Sequence, residues 1–248
     1  MDALKLAQQN PQREVVFFGL GFETTMPATA LTLRQARERN VDNFFFFCQH
    51  ITLLPTLRSL LDQPDNSIDA FLAPGHVSMV IGTEAYGFIA SDYRRPLVVA
   101  GFEPLDLLQG AVMLVEQTIA QCSQVENQYR RVVPDEATRW RKRRLPTFSA
   151  CPAIANGAGW GVINNSGVGL TPAYRRFDAE AHFQPAPQRV CDDPRARCGD
   201  VLTGRCKPHQ CPLFGQVCNP QSAFGALMVS SEGACAAWYQ YRSQENEA

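Results

Sequence analysis

Much is missing from this 248-residue chain, and each absence closes off a class of function. Charge of one sign is not in excess: 23 Lys and Arg stand against 24 Asp and Glu, a formal net charge of -1. That balance gives no electrostatic case for a nucleic-acid or membrane-surface partner. The opening residues, MDALKLAQQNPQRE, have neither a basic segment nor an apolar core of the secretory type. No stretch reaches the roughly 18–20 uninterrupted apolar residues of a membrane span. There is no GxGxxG or P-loop to cradle a nucleotide phosphate. Internal repeats and low-complexity tracts are absent. These absences together predict a cytoplasmic, reducing setting.

What the chain does have is cysteine. Six of its nine, Cys191, Cys198, Cys206, Cys211, Cys218 and Cys235, fall within the last quarter. Thiols so crowded oxidise and cross-link unless they are used. A chain of this length buries a full core without staples, so a disulfide scaffold is not required. In a reducing compartment clustered cysteines bind metal more often than they form disulfides. Iron–sulfur and zinc remain as the readings.

The first half alternates short apolar runs with helical patterns. EVVFFGL, NFFFFC, IDAFLA and PLVVAGF are predicted strands. PATALTLRQARERN, ITLLPTLRSLLDQ and LDLLQGAVMLVEQTIAQC are predicted helices. Continuous Val, Phe and Leu strands interleaved with helices indicate a parallel sheet covered on both faces. The expected fold is α/β: a doubly wound parallel-sheet domain over residues 1–190, its pattern clearest up to about 135. A small cysteine-rich iron–sulfur module follows over 191–248. Cys48 and Cys122, in apolar strand and helix-end settings, are expected to be buried structural thiols.

One stretch does not match its neighbours. Residues 137–160, ATRWRKRRLPTFSACPAIANGAGW, carry five basic side chains and no acidic one. A solvated basic loop is the plain reading, and a nucleic-acid patch a weaker one. Translated one base out of register with ordinary codons, the stretch gives GNALAQAAIADVFCVSGDSEWRG, an Ala-rich amphipathic helix running into a strand. This predicts a frame slip near Glu136 compensated near Trp160, in which case Cys151 and the Arg cluster carry no functional information. Codons unable to yield the alternative string would overturn that expectation.

Three loops fall at the carboxyl ends of predicted strands, where α/β proteins place their chemistry. GFETTMP follows the first, APGHVSMVIGTEAY the third and GFEPLD the fourth. Glu23, Thr24 and Thr25 are placed to cap a helix or to present a polar crevice. His76 follows Pro-Gly, where a loop exposes it for proton transfer or metal contact. Read singly, Glu23, Glu103 and Asp106 are helix caps and His76 is a satisfied loop histidine. Three such loops on one sheet edge suggest a cleft.

GFETTMPATALTL, FFCQHITLLPTLRSLL, DAFLAPGHVSMVIG, VVAGFEPLDLLQG, VENQYRRVVP, QCPLFGQVC and MVSSEGACAAWYQYR together closely resemble the HypD family of hydrogenase maturation factors. The resemblance covers about 1–136 and 161–248. It implies two α/β domains plus a C-terminal module holding a [4Fe-4S] cluster. The implied work is assembly of the Fe(CN)2CO part of the [NiFe]-hydrogenase active site, with a HypC-like chaperone and a HypE-like cyanide donor as partners. Electrons are implied to pass between the cluster, a cysteine pair and the assembling iron. The family's CGGHTHA and CPVC motifs do not occur here. The chain is therefore expected to be an N-terminally truncated member with impaired maturation activity.

Cys198 before Gly199, Cys211 closing a PxxC, Cys218 closing a C-x6-C and Cys235 in EGAC look like the family's recurring cluster positions. These four are the expected ligands, with Cys206 the likelier substitute and Cys191 next. Thiolate sulfur suits the soft iron–sulfide core. Resemblance also suggests functional roles for His76 and for Glu232, three residues before Cys235. A carboxylate there can relay protons or accept a hydrogen bond beside a cluster; the plain alternative is a helix-start residue capped by Ser230 or Ser231. Two other functions stay open. One is an iron–sulfur oxidoreductase acting on a small molecule. The other is a structural zinc domain, although the paired CxxC knuckles common in such sites are lacking.

Overall fold

The computed structural model describes residues 1–136, 147–153, 163–186 and 193–242. Most of the anomalous 137–160 stretch therefore lies outside the described residues, as does Cys191. The chain divides into two compact units. The first comprises 1–56, 69–153 and 164–186, and the second 57–68, 154–163 and 187–248.

In the first unit, α1 (Asp2–Gln9) precedes β1 (Val15–Gly21), α2 (Met26–Glu38) and β2 (Phe44–His50). The two strands pair in parallel, with Val15 opposite Phe44 and Gly21 opposite His50. Four consecutive phenylalanines make β2 the stiff, apolar spine of the unit. Phe44 and Phe46 are fully buried with Leu4, Leu33, Tyr174 and Phe177. Gly19 on β1 faces Phe46 so closely that a Cβ there would enter the ring. The helix α3 (Leu53–Leu61) starts in this unit; its residues from Leu57 onward belong to the second.

A second ladder follows. β3 (Phe71–Pro74) leads to α4 (Gly75–Ile81) and α5 (Gly87–Ser91). Then come β4 (Leu97–Ala100), α6 (Pro104–Ile119) and β5 (Val125–Asn127). Order is β3-β4-β5, all parallel, with β4 buried along its whole length. β6 (Phe148–Ala153), inside the anomalous stretch, pairs with β7 (Ile163–Leu170), and Phe148 packs on Phe46 and His50. The short α7 (Ala179–Phe183) is capped by Asp178, whose carboxylate accepts from the Glu180 and Ala181 N–H groups.

Parallel pairing in an α/β unit matches expectation, but among the described residues the ladders form separate sets instead of one continuous doubly wound sheet. Opposite β1, Phe46 of β2 bridges Asp178; just past the strand, Ile51 bridges Gly167 and the Thr52 N–H donates to the Ser166 carbonyl at 2.7 Å.

The helix α6 is amphipathic in the reverse of the usual sense. It buries Asp106, Gly110 and Gln117, while Leu105, Leu108, Val112, Val115 and Ile119 are each more than half exposed. Gly110 allows the close approach, since a Cβ there would lie 2.7 Å from Leu72 Cδ1.

The second unit is built from turns. Beyond 186 it contains α8 (Cys198–Leu202), a 3-10 turn at Pro208–Gln210, α9 (Ala226–Val229) and α10 (Ala234–Arg242). Its small core is Leu213, Cys218, Met228, Cys235 and Ala236, so thiols replace the aliphatic side chains that fill an ordinary interior. His209 stacks on Trp238, tying the 3-10 turn to α10. No helix among the described residues is long and apolar enough to cross a membrane.

Candidate functional site

Each thiol of the second unit is placed by a local backbone device. Cys198 opens α8 behind Arg197, whose guanidinium is held 2.9 Å from Asp200. Cys211 closes the Pro208–Gln210 turn. Between Leu213 and Cys218 the chain doubles back. The Cys218 N–H donates to the Leu213 carbonyl, and the turn passes through Gly215 at φ 72, a left-handed conformation natural to glycine. Cys235 sits in the first turn of α10.

Four sulfurs reach one narrow cavity of about 20 Å³, bordered by Cys198, Cys211, Cys218 and Cys235. Apart from Arg197, its other side-chain walls are apolar, among them Val201, Leu213, Phe214 and Met228. Cys206, although buried, is not among the lining residues. The thiols border a shared space instead of meeting at a point: among the described residues no three His, Cys, Asp or Glu side chains are grouped to hold a metal ion.

Three thiols, Cys198, Cys206 and Cys235, are held more firmly to their protons than a free cysteine. Burial raises Cys198, opposed by hydrogen bonds from the Leu227 and Ala226 backbone N–H groups, while Cys211 and Cys218 add to the rise. Burial pushes Cys235 up to about 12, helped by the neighbouring thiols of Cys198, Cys218, Cys211 and Cys206. Cys206 is raised by burial, with Arg197 and Arg205 opposing. Ligating sulfur must be thiolate, so any metal entering here displaces protons. A four-sulfur donor set in apolar walls suits a soft iron–sulfide core in its chemistry. An amide hydrogen bond from Gly225 N to Cys218 Sγ, 3.4 Å, is of the kind that stabilises a ligating thiolate.

The strand-end loops of the first unit sit where expected, but on separate ladders. GFETTMP closes β1, while the His76 and GFEPLD loops close the adjacent strands β3 and β4. His76 is exposed on α4, its ring stacked 5.0 Å from Phe102. Glu232 is exposed between α9 and α10, and its N–H donates to Ser230 Oγ at 3.2 Å. Ser230 thus makes a local turn and does not cap α10.

The supposed caps have other partners. Glu23 accepts the N–H of Leu53 at 3.0 Å, so it serves the start of α3 and not of α2. Thr25 is the N-cap residue of α2 but makes no capping bond; its hydroxyl lies 2.9 Å from buried His50 Nε2, where burial lowers the imidazole pKa. Glu103 precedes α6 without a side-chain cap. Cys48 is half-buried and donates to the Val168 carbonyl at 3.0 Å, and Cys122 is likewise half-buried.

Asp106 carries more than a cap. It forms a bidentate pair with Arg131 (2.9 and 2.5 Å), accepts from Gln128 at 2.8 Å, and Arg131 lies over Tyr129 at 4.4 Å. Sequence reasoning missed this cluster; the VENQYRR run was its signal. The hydrogen bonds from Arg131 and then Gln128 hold Asp106 below its ordinary value of 3.8. A depressed carboxylate contributes stability that is present above the ordinary value and lost as pH falls through the native one. Asp106→Asn is therefore expected to flatten the acid limb of the stability curve between about pH 5 and pH 2. Urea midpoints measured across that range check this, and an unchanged acid limb would refute it.

An α/β unit joined in one chain to a small thiol-cored unit is the class of protein these features define. Comparison with known proteins narrows it. The model of the HypD family, "Hydrogenase formation hypA family", matches residues 1–242. Over 248 residues the chain is 75% identical to the hydrogenase maturation factor HypD of Escherichia coli (strain K12), covering all of this chain and 66% of that protein. It is 50% identical over 245 residues to HypD of Rhodobacter capsulatus, covering 97% and 65%. With HypD of Cupriavidus necator the identity is 41% over 246 residues, covering 97% and 65%. The chain belongs to the HypD family, and it spans about two thirds of the length of these curated relatives.

Proposed function

We propose that this chain works in [NiFe]-hydrogenase maturation, as a metallocofactor assembly factor and not as a turnover enzyme. The reading assigns Cys198, Cys211, Cys218 and Cys235 to a [4Fe-4S] cluster. When bound, that group supplies one-electron transfer. The iron of the Fe(CN)2CO moiety is then cargo, assembled with a HypC-like chaperone and a HypE-like cyanide donor. The chain is scaffold and electron conduit for that assembly.

What supports this most is the convergence of four thiols, and not the fifth at Cys206, on one apolar cavity in a HypD-family chain. The residues' own contributions follow from their surroundings. The Gly225 amide donates to the Cys218 sulfur, while Phe214 and Met228 limit water at the cavity wall. Glu232, exposed three residues before Cys235, is assigned proton relay at its carboxylate. His76, exposed against Phe102, is assigned to the cargo side.

Anaerobic purification with iron, sulfide and zinc analysis tests the cluster. About four irons and four sulfides per chain are expected; a colourless zinc protein would overturn the assignment. Pull-down with a HypC-like chaperone tests the partner reading.

A further inference from the structure

We propose that Gly225 is the positioning residue that admits Cys198 to the ligand set, an inference that rests on the cluster reading above. Glycine here is not demanded by the backbone. Gly225 has φ -104 and ψ 149, an extended conformation that any residue adopts without strain. What excludes a side chain is one atom: a Cβ built on Gly225 would lie 2.5 Å from Cys198 Sγ. Among the described residues, no other atom beyond its chain neighbours comes within 4 Å of that position. Carbon and sulfur in ordinary contact stand farther apart than this, as carbons do at about 3.5–4.0 Å.

The same residue also binds a sulfur. Gly225 N–H donates to Cys218 Sγ at 3.4 Å, and Gly225 and Cys198 line the same cavity. One residue thus serves two of the four thiols: its N–H binds Cys218, and its bare Cα edge leaves room for Cys198. Amide hydrogen bonds strengthen as the acceptor gains charge. The Gly225 bond therefore holds a ligating Cys218 thiolate more firmly than the metal-free thiol.

The metal-free and loaded proteins respond differently to a methyl group at 225. Without metal, Cys198 is half-buried and its sulfur turns about one torsion, leaving space for an added methyl. Once iron fixes the sulfur, that freedom is gone and the methyl collides with a ligand. Gly225→Ala should therefore spare the fold and cost the cluster. The metal-free melting temperature is expected to equal or exceed the parent's, because alanine restricts the unfolded chain.

The experiment is anaerobic reconstitution of parent and Gly225→Ala chains with ferrous iron and sulfide. Readouts are iron and sulfide content, retention of iron against a chelator, and the reduction potential of any remaining cluster. Retention is expected to fall about 10–100-fold, the range for losing a group that orients a ligand. Any residual cluster should be reduced at an altered potential, since its Cys198 ligand is displaced by the methyl. If Gly225 acts through Cys198, the substitution adds no further loss to Cys198→Ser.

Equal loading of Gly225→Ala and parent would overturn the inference while leaving the cluster reading intact. A further loss in the double variant would also overturn it. A parent that takes up no iron removes both. Should Gly225→Ala fail to fold, Gly225→Ala/Cys198→Ala, lacking the sulfur, is expected to recover the parent's circular dichroism. A double variant that stays unfolded refutes the proposal.

Discussion

Cys211→Ser is expected to strip iron from the second unit with little effect on the metal-free fold, and Cys206→Ser to do the reverse. Cys211 is half-buried at the end of a 3-10 turn and borders the four-thiol cavity. A serine there keeps the size and the turn. Its hard, weakly acidic hydroxyl is a poor replacement for thiolate on an iron–sulfide core. Cys206 is buried outside the cavity lining, so its hydroxyl replacement is desolvated without helping or harming the metal. That burial costs about 1–3 kcal/mol where no new hydrogen bond forms. Iron and sulfide content set against metal-free melting temperatures gives a crossed pattern. Iron loss from Cys206→Ser with retention by Cys211→Ser would replace Cys211 in the proposed set.

Phe46→Ala carries the largest expected cost in stability, about 3–5 kcal/mol, the range for removing a large aromatic ring from a core. Phe46 is fully buried on β2, between Phe17 and Phe148 and beside His50. Gly19 gives up its side chain to make room for the same ring, so collapse of β1 onto the void is limited by the β1–β2 ladder. Total domain stabilities are about 5–15 kcal/mol, so this one change removes a large fraction. Urea unfolding followed by near-ultraviolet circular dichroism checks it; a midpoint shift worth less than about 1 kcal/mol would refute it. His50 packs on Phe46 and meets Thr25 at 2.9 Å, so the variant also loosens the GFETTMP loop.

The strands were legible because their signal is local. NFFFFC and PLVVAGF are apolar on both faces, which only a covered strand explains. The motifs around Cys198, Cys211, Cys218 and Cys235 singled out four thiols that border one cavity. Partnerships distant in sequence were not legible. Asp106 and Glu23 each sit before or within a helix start, where a carboxylate is ordinarily a cap. Their partners, Arg131 and Leu53, lie 25 and 30 residues away. The bridge from Phe46 to Asp178 was hidden for the same reason, since its partner lies more than a hundred positions on. Gly225 gave no signal, because neither its backbone angles nor its neighbours in sequence call for glycine. Only the position of Cys198 Sγ reveals its use.

The outward face of α6 has a consequence of another kind. Leu105, Leu108, Val112, Val115 and Ile119 repeat at alternating three- and four-residue steps, and the helix carries no basic residue to interrupt them. A stripe of that kind in water lowers the cost of molecules meeting, whatever the free energy of unfolding. The stripe thus bears on how concentrated the chain can be held, separately from how stable it is. Charge placed on the stripe relieves it within the first unit, whereas the four thiols belong to the second.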